Sequence, residues 1–161
     1  MVVPTGWAAA KAPSRFAIDQ GDLVQAYRLY ALALAGAPEL GAMNRLRESR
    51  TLSMQARWRL AAAYALAGKP NIANELIFKL PVAVATYDWS NPTYGSPERD
   101  QAMILEALVL MGRDREAFEQ ARRVSQSLTT SQEFATQSTA YALLALGRLA
   151  ERTSGSLQFD W

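Results

Sequence analysis

Residues 56–68 read Ala56-Arg57-Trp58-Arg59-Leu60-Ala61-Ala62-Ala63-Tyr64-Ala65-Leu66-Ala67-Gly68, and Lys69-Pro70-Asn71-Ile72-Ala73-Asn74-Glu75-Leu76-Ile77-Phe78-Lys79-Leu80-Pro81 follows. Ser53 can cap a helix whose one face carries Ala56, Leu60, Ala63, Tyr64 and Ala67. Gly68 stops it, because a helix end favours a residue that tolerates positive φ. Pro70 then opens a second helix through Ile72, Ala73, Leu76, Ile77 and Leu80, and Pro81 closes it. The stretch is a helical hairpin. One hairpin cannot bury its own apolar face, so its neighbours must stack on it.

The same form recurs outward from this hairpin. Tyr30-Ala31-Leu32-Ala33-Leu34-Ala35-Gly36, Leu108-Val109-Leu110-Met111-Gly112 and Tyr141-Ala142-Leu143-Leu144-Ala145-Leu146-Gly147 each pair an apolar helix end with glycine. The four glycines are 32, 44 and 35 residues apart. Alanine on these faces lets helices approach closely, and the large apolar residues fill the gaps. Asp22 with Gln25 reads as the capping box of a first helix through Leu23, Tyr27, Tyr30 and Leu34, and Pro38 opens a short helix to about Arg47. Ser96-Pro97-Glu98 starts another through Ala102, Leu105, Leu108 and Val109. Asp114 caps the next, with Ala117, Phe118, Ala121, Val124 and Leu128. Thr130 with Glu133 opens the last, through Phe134, Tyr141, Leu144 and Leu149. The expected fold is all-α: about seven helices in stacked antiparallel hairpins over residues 22–153. Residues 1–21 read as an irregular lead-in and 82–95 as a long loop. In the tail, 154–161, Leu157, Phe159 and Trp161 alternate with Gln158 and Asp160, the pattern of a strand belonging to a following β-domain.

Composition bounds the chemistry. The 161 residues are half apolar and one-fifth charged, with a net charge of +2, the balance of one globular domain. Two excess charges do not argue for a nucleic acid or an acidic membrane. The chain has 0 Cys and 0 His, which removes disulfides, zinc clusters, a Cys nucleophile and a His general base. No metal and no cofactor is expected, and the chain reads as a non-enzyme. No run approaches the ~18 apolar residues of a membrane span, so direct membrane insertion is not expected.

Arg45, Arg47, Arg50, Arg57 and Arg59 with Glu48 read as a solvated face across a helical junction rather than an anion site. Glu98 and Asp100 read as first-turn acids that suit the helix dipole, not as an acid–base pair with Glu106. Glu116 and Glu119 beside Arg115, Arg122 and Arg123 read as an ordinary charged helix face. The Thr136-Gln137-Ser138-Thr139 hydroxyls have no His or Lys nearby to act as base. Tyr87, Trp89 and Tyr94, clustered in the long loop, are the candidate interaction surface.

Two family resemblances stand beside this reading. Tyr64, Gly68, Ala73 and Ile77, and more weakly Leu108, Gly112, Ala117 and Ala121, have the spacing of a tetratricopeptide repeat. The more specific resemblance covers residues 22–161, which are similar to the later part of the thioester-type α/α-toroid domain of bacterial alpha-2-macroglobulins. It is carried by residues 25–48 (QAYRLYALALAGAPELGAMNRLRE), 56–64 (ARWRLAAAY), 93–105 (TYGSPERDQAMIL) and 135–146 (ATQSTAYALLAL). The family implies a large periplasmic or cell-envelope protein that traps a protease when the protease cleaves a bait segment. This chain would be its interaction and conformational-change domain, flanked by β-domains of the same chain. Many members carry a Cys-x-Glu-Gln thioester in the early toroid helices. Without Cys, this chain holds no such motif, and no catalytic residue carries over. A piece of a toroid would expose faces that its neighbours cover, so self-association is also expected. The alternative reading is a free-standing helical-repeat adaptor that binds a peptide on its concave face.

Overall fold

A computed structural model describes residues 15–84, 96–130 and 136–154. Among these residues the chain is all-α, with seven helices and no strand. They are α1 (Arg15–Leu34), α2 (Leu40–Arg47), α3 (Met54–Leu66), α4 (Pro70–Ile77), α5 (Pro97–Leu110), α6 (Asp114–Thr130) and α7 (Thr136–Ser154).

The sequence signals for helix ends act mostly as expected. Ser53 accepts the Ala56 N–H at 3.2 Å, and Ser96 accepts the Arg99 N–H at 3.1 Å ahead of Pro97. Gly36, Gly68 and Gly112 hold φ of 79°, 69° and 72°. After each, the next N–H reaches back past the glycine: Ala37 to the Leu32 carbonyl, Lys69 to that of Tyr64, Arg113 to that of Leu108, at 2.8–3.0 Å. The three hairpins therefore turn by one motif, which satisfies carbonyls that the helix ends leave open. A Cβ at Gly68 would meet nothing within 4 Å, so the cost of a side chain there is purely conformational. Gly68→Ala is expected to lose about 1–2 kcal/mol in urea denaturation, the cost of a left-handed L-residue. Gly68→Asn is expected to lose less, because Asn tolerates that region.

Five boundaries differ from expectation. α2 starts at Leu40 with Glu39 at its N-cap position, so Pro38 stands before the helix and not in its first turn. The first helix starts at Arg15, not Asp22, and runs through Gly21. One interior glycine costs only about 1 kcal/mol, too little to end a 20-residue helix. Asp22 is thereby freed to bond elsewhere: its carboxylate accepts the Ser53 backbone N–H at 2.6 Å, bracing the start of α3. Gly147 lies inside α7, so the fourth glycine does not end a helix. α4 stops at Ile77 rather than Leu80, because Lys79 takes a φ of 60° that breaks the helical run before Pro81. Asp114 is the first residue of α6, not its cap, and its carboxylate pairs with Arg152 at 2.7 Å. The Thr130–Glu133 box falls at the end of α6 and on residues outside those described, as do the strand-like tail from Gly155 and most of the 82–95 loop.

The packing has two layers. Pairs between α1 and α3 advance together, Asp22 with Ser53 and then Tyr27 with Arg59, so these helices are parallel. The same holds for α1 and α5 (Tyr27 with Met103, Tyr30 with Glu106) and for α5 and α7 (Ser96 with Ser138, Glu106 with Arg148). Thus α1, α3, α5 and α7 form a parallel inner layer, and the returns α2, α4 and α6 run against it outside. Ala73 and Ala117 are fully buried in the outer helices, where a larger residue would push the layers apart. Ile77 and Ala121 are buried one turn further on. The inner layer also curls. Tyr27 on α1 meets Tyr141 on α7 edge to face, with ring centroids 6.3 Å apart. In a straight array, three helix spacings of 8–10 Å would separate these two helices.

Candidate functional site

The inside of this curl is occupied by one connected group. Glu106, in the middle of α5, is 2% exposed. Its Oε1 accepts the Tyr30 hydroxyl at 2.6 Å from α1, and its Oε2 accepts Nη1 of Arg59 at 2.7 Å from α3. Arg148 of α7 brings its Nε within 3.0 Å of Oε1. A single carboxylate therefore joins all four inner helices. Arg59 is wholly buried, with its guanidinium 4.5 Å from the Tyr27 ring centre and 4.2 Å from that of Tyr30. Its Nη2 also donates to the Tyr27 hydroxyl at 3.3 Å. Cation–aromatic contact on two faces compensates a buried cation better than an ion pair alone.

The helical period places these side chains. Tyr27 and Tyr30 fall on one face of α1, and Tyr141, Leu144 and Arg148 follow at spacings of three and four on α7. Beside the cluster lies a cleft of about 310 Å³ between α1 and α7, lined by Tyr27, Tyr30, Leu34, Glu106, Tyr141 and Leu144 among others. Leu34 and Leu144 at its rim are each 49% exposed. Among the described residues, Arg59 Nε and Arg148 Nε are buried without a hydrogen-bond acceptor. The Arg148 N–H lies close to Glu106 but is not aligned with it.

Electrostatics follow from this burial. Desolvation raises the Tyr27 hydroxyl well above its usual range, against the opposing pull of Arg59. Tyr30 is pushed up to about 12, by burial and then by its bond to Glu106. Burial disfavours the Arg59 cation, but Tyr27 and Glu106 outweigh that and raise its pKa. A tyrosine whose folded pKa is raised stabilises the fold fully below its unfolded value near 10, and that contribution fades as pH rises toward the folded value. Stability is therefore expected to fall between about pH 10 and 12. Urea midpoints measured across that range should fall less steeply for Tyr30→Phe than for the parent chain.

The sequence-derived candidates fare unevenly. Tyr87, Trp89 and Tyr94 lie outside the described residues. Arg45 and Arg50 are exposed, as a solvated face requires, and Arg47 and Arg57 are half-buried. Arg59 departs from that reading: it is buried because its position on α3 turns it into the curl, toward Glu106, and not to solvent. Glu98 is half-buried, whereas Asp100 is fully buried and accepts Arg99 Nη2 at 2.8 Å, so it does more than suit the helix dipole. Asp100 and Glu106 are each held by an arginine, not by each other. Arg113 pairs with Glu116 at 2.6 Å and Arg115 with Glu119 at 3.8 Å, the charged face expected of α6. Ser138 is buried and shares a hydrogen bond of 2.7 Å with Ser96, the cap of α5.

The central pair was missed, although a signal was present. Arg59 sits between Trp58 and Leu60, and Glu106 is the one charge in Ala102-Met103-Ile104-Leu105-Glu106-Ala107-Leu108-Val109. A single charge inside an apolar helix must be paired if the helix is buried all round. Among the described residues, no group of three or more acidic, His or Cys side chains could hold a metal, and no helix is long and apolar enough to cross a membrane. The chain matches no protein-family model, no curated protein and no solved structure.

Proposed function

We propose that this chain is part of the α/α toroid of a bacterial alpha-2-macroglobulin-like protease inhibitor, and that it serves there as a non-enzymatic interaction and conformational-change domain. The observation that carries the reading is the curl of four parallel inner helices, with α2, α4 and α6 returning outside. That is the arrangement a toroid requires, and it accompanies the long sequence resemblance of residues 22–161. Stabilisation by one central ion cluster also suits a domain that moves as a body when flanking segments are cut. The protease partner, the β-domain neighbours and the periplasmic or envelope location belong to this proposal.

The test is the parent gene. An open frame that continues on both sides with β-rich domains and an export signal supports the reading. Its purified product, once cleaved by a protease, should then shield that protease from a protein substrate while small peptides are still hydrolysed. A frame that starts at Met1 and stops after Trp161 would sink it. One observation favours a second reading, a helical adaptor: the cleft of about 310 Å³ opens on the inner side of the curl, where repeat proteins bind peptides.

A further inference from the structure

We propose that the cleft between α2, α3 and α4 binds a phosphate monoester, with the phosphoryl oxygens on Arg47 and Arg57 and the carbon part against Leu52 and Leu76. The site stands apart from the curl and holds under either reading above.

Ion pairing singles out these two arginines. Arg59, Arg99, Arg113 and Arg148 are the other arginines that the fold buries or half-buries among the described residues, and each lies within 3.0 Å of a carboxylate. Arg47 and Arg57 are half-buried too, yet among the described residues neither guanidinium has an ion pair or a hydrogen bond. A half-buried cation has given up part of its hydration, and a bound anion restores what it lost. The two also share one place. Arg47 ends α2 and Arg57 is the fourth residue of α3, and the turn between the helices brings both into the wall of one cleft of about 190 Å³, with Leu52, Glu75 and Leu76. Arg45 and Arg50, their neighbours along the chain, are exposed and do not line it.

Size and charge set the class of ligand. The cleft is smaller than the ~300–1,000 Å³ of sites that take a whole drug-sized molecule, so it suits one anionic group with a small apolar part. A guanidinium donates through a planar fork, and one fork satisfies both oxygens of a carboxylate. A carboxylate would therefore leave the second arginine without its match. A phosphate monoester carries about −1.5 to −2 charge near pH 7 and offers three oxygens, enough for both forks. Leu52 is 8% exposed and Leu76 is half-buried, an apolar wall for the carbon part of the ester. Glu75 is the one acid in the lining and lies beyond ion-pair distance of both arginines. One acid against two arginines leaves the cleft positive.

The test titrates the 15N-labelled full chain with phenyl phosphate, inorganic phosphate and benzoate in turn, and follows the backbone amides of residues 47–57 and 75–76 by NMR. Phenyl phosphate should shift these amides and bind at least about tenfold more tightly than benzoate, the scale of one further charge-assisted hydrogen bond. It should also bind more tightly than inorganic phosphate, which has no carbon part to lay on Leu52 and Leu76. Arg47→Gln and Arg57→Gln should each weaken phenyl phosphate at least about tenfold, Glu75→Gln should tighten it, and Arg45→Gln and Arg50→Gln should leave it unchanged. Arg57→Lys keeps the charge and loses the fork, so it should weaken binding while its thermal midpoint stays at that of the parent. Four results overturn the proposal: no shift at these amides, benzoate bound as tightly as phenyl phosphate, Arg45→Gln or Arg50→Gln as harmful as the cleft variants, or weaker binding by Glu75→Gln. Inorganic phosphate bound as tightly as phenyl phosphate would assign the cleft to the free ion and also overturn it.

Discussion

Replacing Glu106 with alanine is expected to cost about 3–5 kcal/mol, the usual penalty for breaking a buried pair from one side. The reason is what remains. Arg59 would be left wholly buried between two tyrosine rings without its counter-charge, and the Tyr30 hydroxyl would lose its acceptor. Urea denaturation gives the loss directly. Glu106→Gln is expected to retain part of it, because the one amide oxygen still accepts from Arg59 or from Tyr30, although its NH2 accepts from neither and it brings no charge. The double variant Arg59→Met with Glu106→Leu should be milder than Glu106→Ala, since it leaves no wholly buried charge unpaired, although the Tyr30 hydroxyl and Arg148 still lose their acceptor. A loss below about 1 kcal/mol for Glu106→Ala, the size of an exposed ion pair, would contradict the burial described.

Replacing Trp58 with alanine is expected to cost about 3–5 kcal/mol, because the removed ring leaves a cavity that rigid helices cannot close. Trp58 is 1% exposed and lines the wall where α3 meets the end of α4, beside Ile77, Leu80 and Val82. Its indole Nε1–H is buried without an acceptor. Trp58→Phe should therefore cost much less than the loss of ring area alone implies, since it also removes an unpaired donor. Thermal midpoints of the two variants give the comparison. If Phe proved as damaging as Ala, the indole N–H would be bonded in solution.

The helices were legible because their limits are written in local chemistry. Ser53 and Ser96 cap, Pro70 and Pro97 open, and Gly36, Gly68 and Gly112 supply the positive φ that ends a helix, each acting within a few residues of itself. Gly21 and Gly147 misled because a glycine permits a turn but does not impose one, and α1 and α7 run through both. The hairpins were legible from their short connections. The parallel inner layer and its curl were not, since these depend on pairs 76 residues apart, such as Tyr30 with Glu106. Arg59 illustrates the limit. Counted along the chain it belongs with Arg45, Arg47, Arg50 and Arg57, but the helical period of α3 sets it on the inward face, where a carboxylate two helices further along the chain decides its role.

The central claim is that the inner layer curls, far enough to bring Tyr27 of its first helix onto Tyr141 of its last. Nuclear Overhauser contacts between the rings of Tyr27 and Tyr141 test it most directly, with Tyr27→Phe and Tyr141→Phe samples assigning the signals. The 6.3 Å edge-to-face geometry predicts clear cross-peaks between the two rings, alongside those joining Tyr30 to the residues around Glu106. Cross-peaks along α1–α3 and α5–α7 with none between the two tyrosines would mean an open, straight helical array and would contradict the curl.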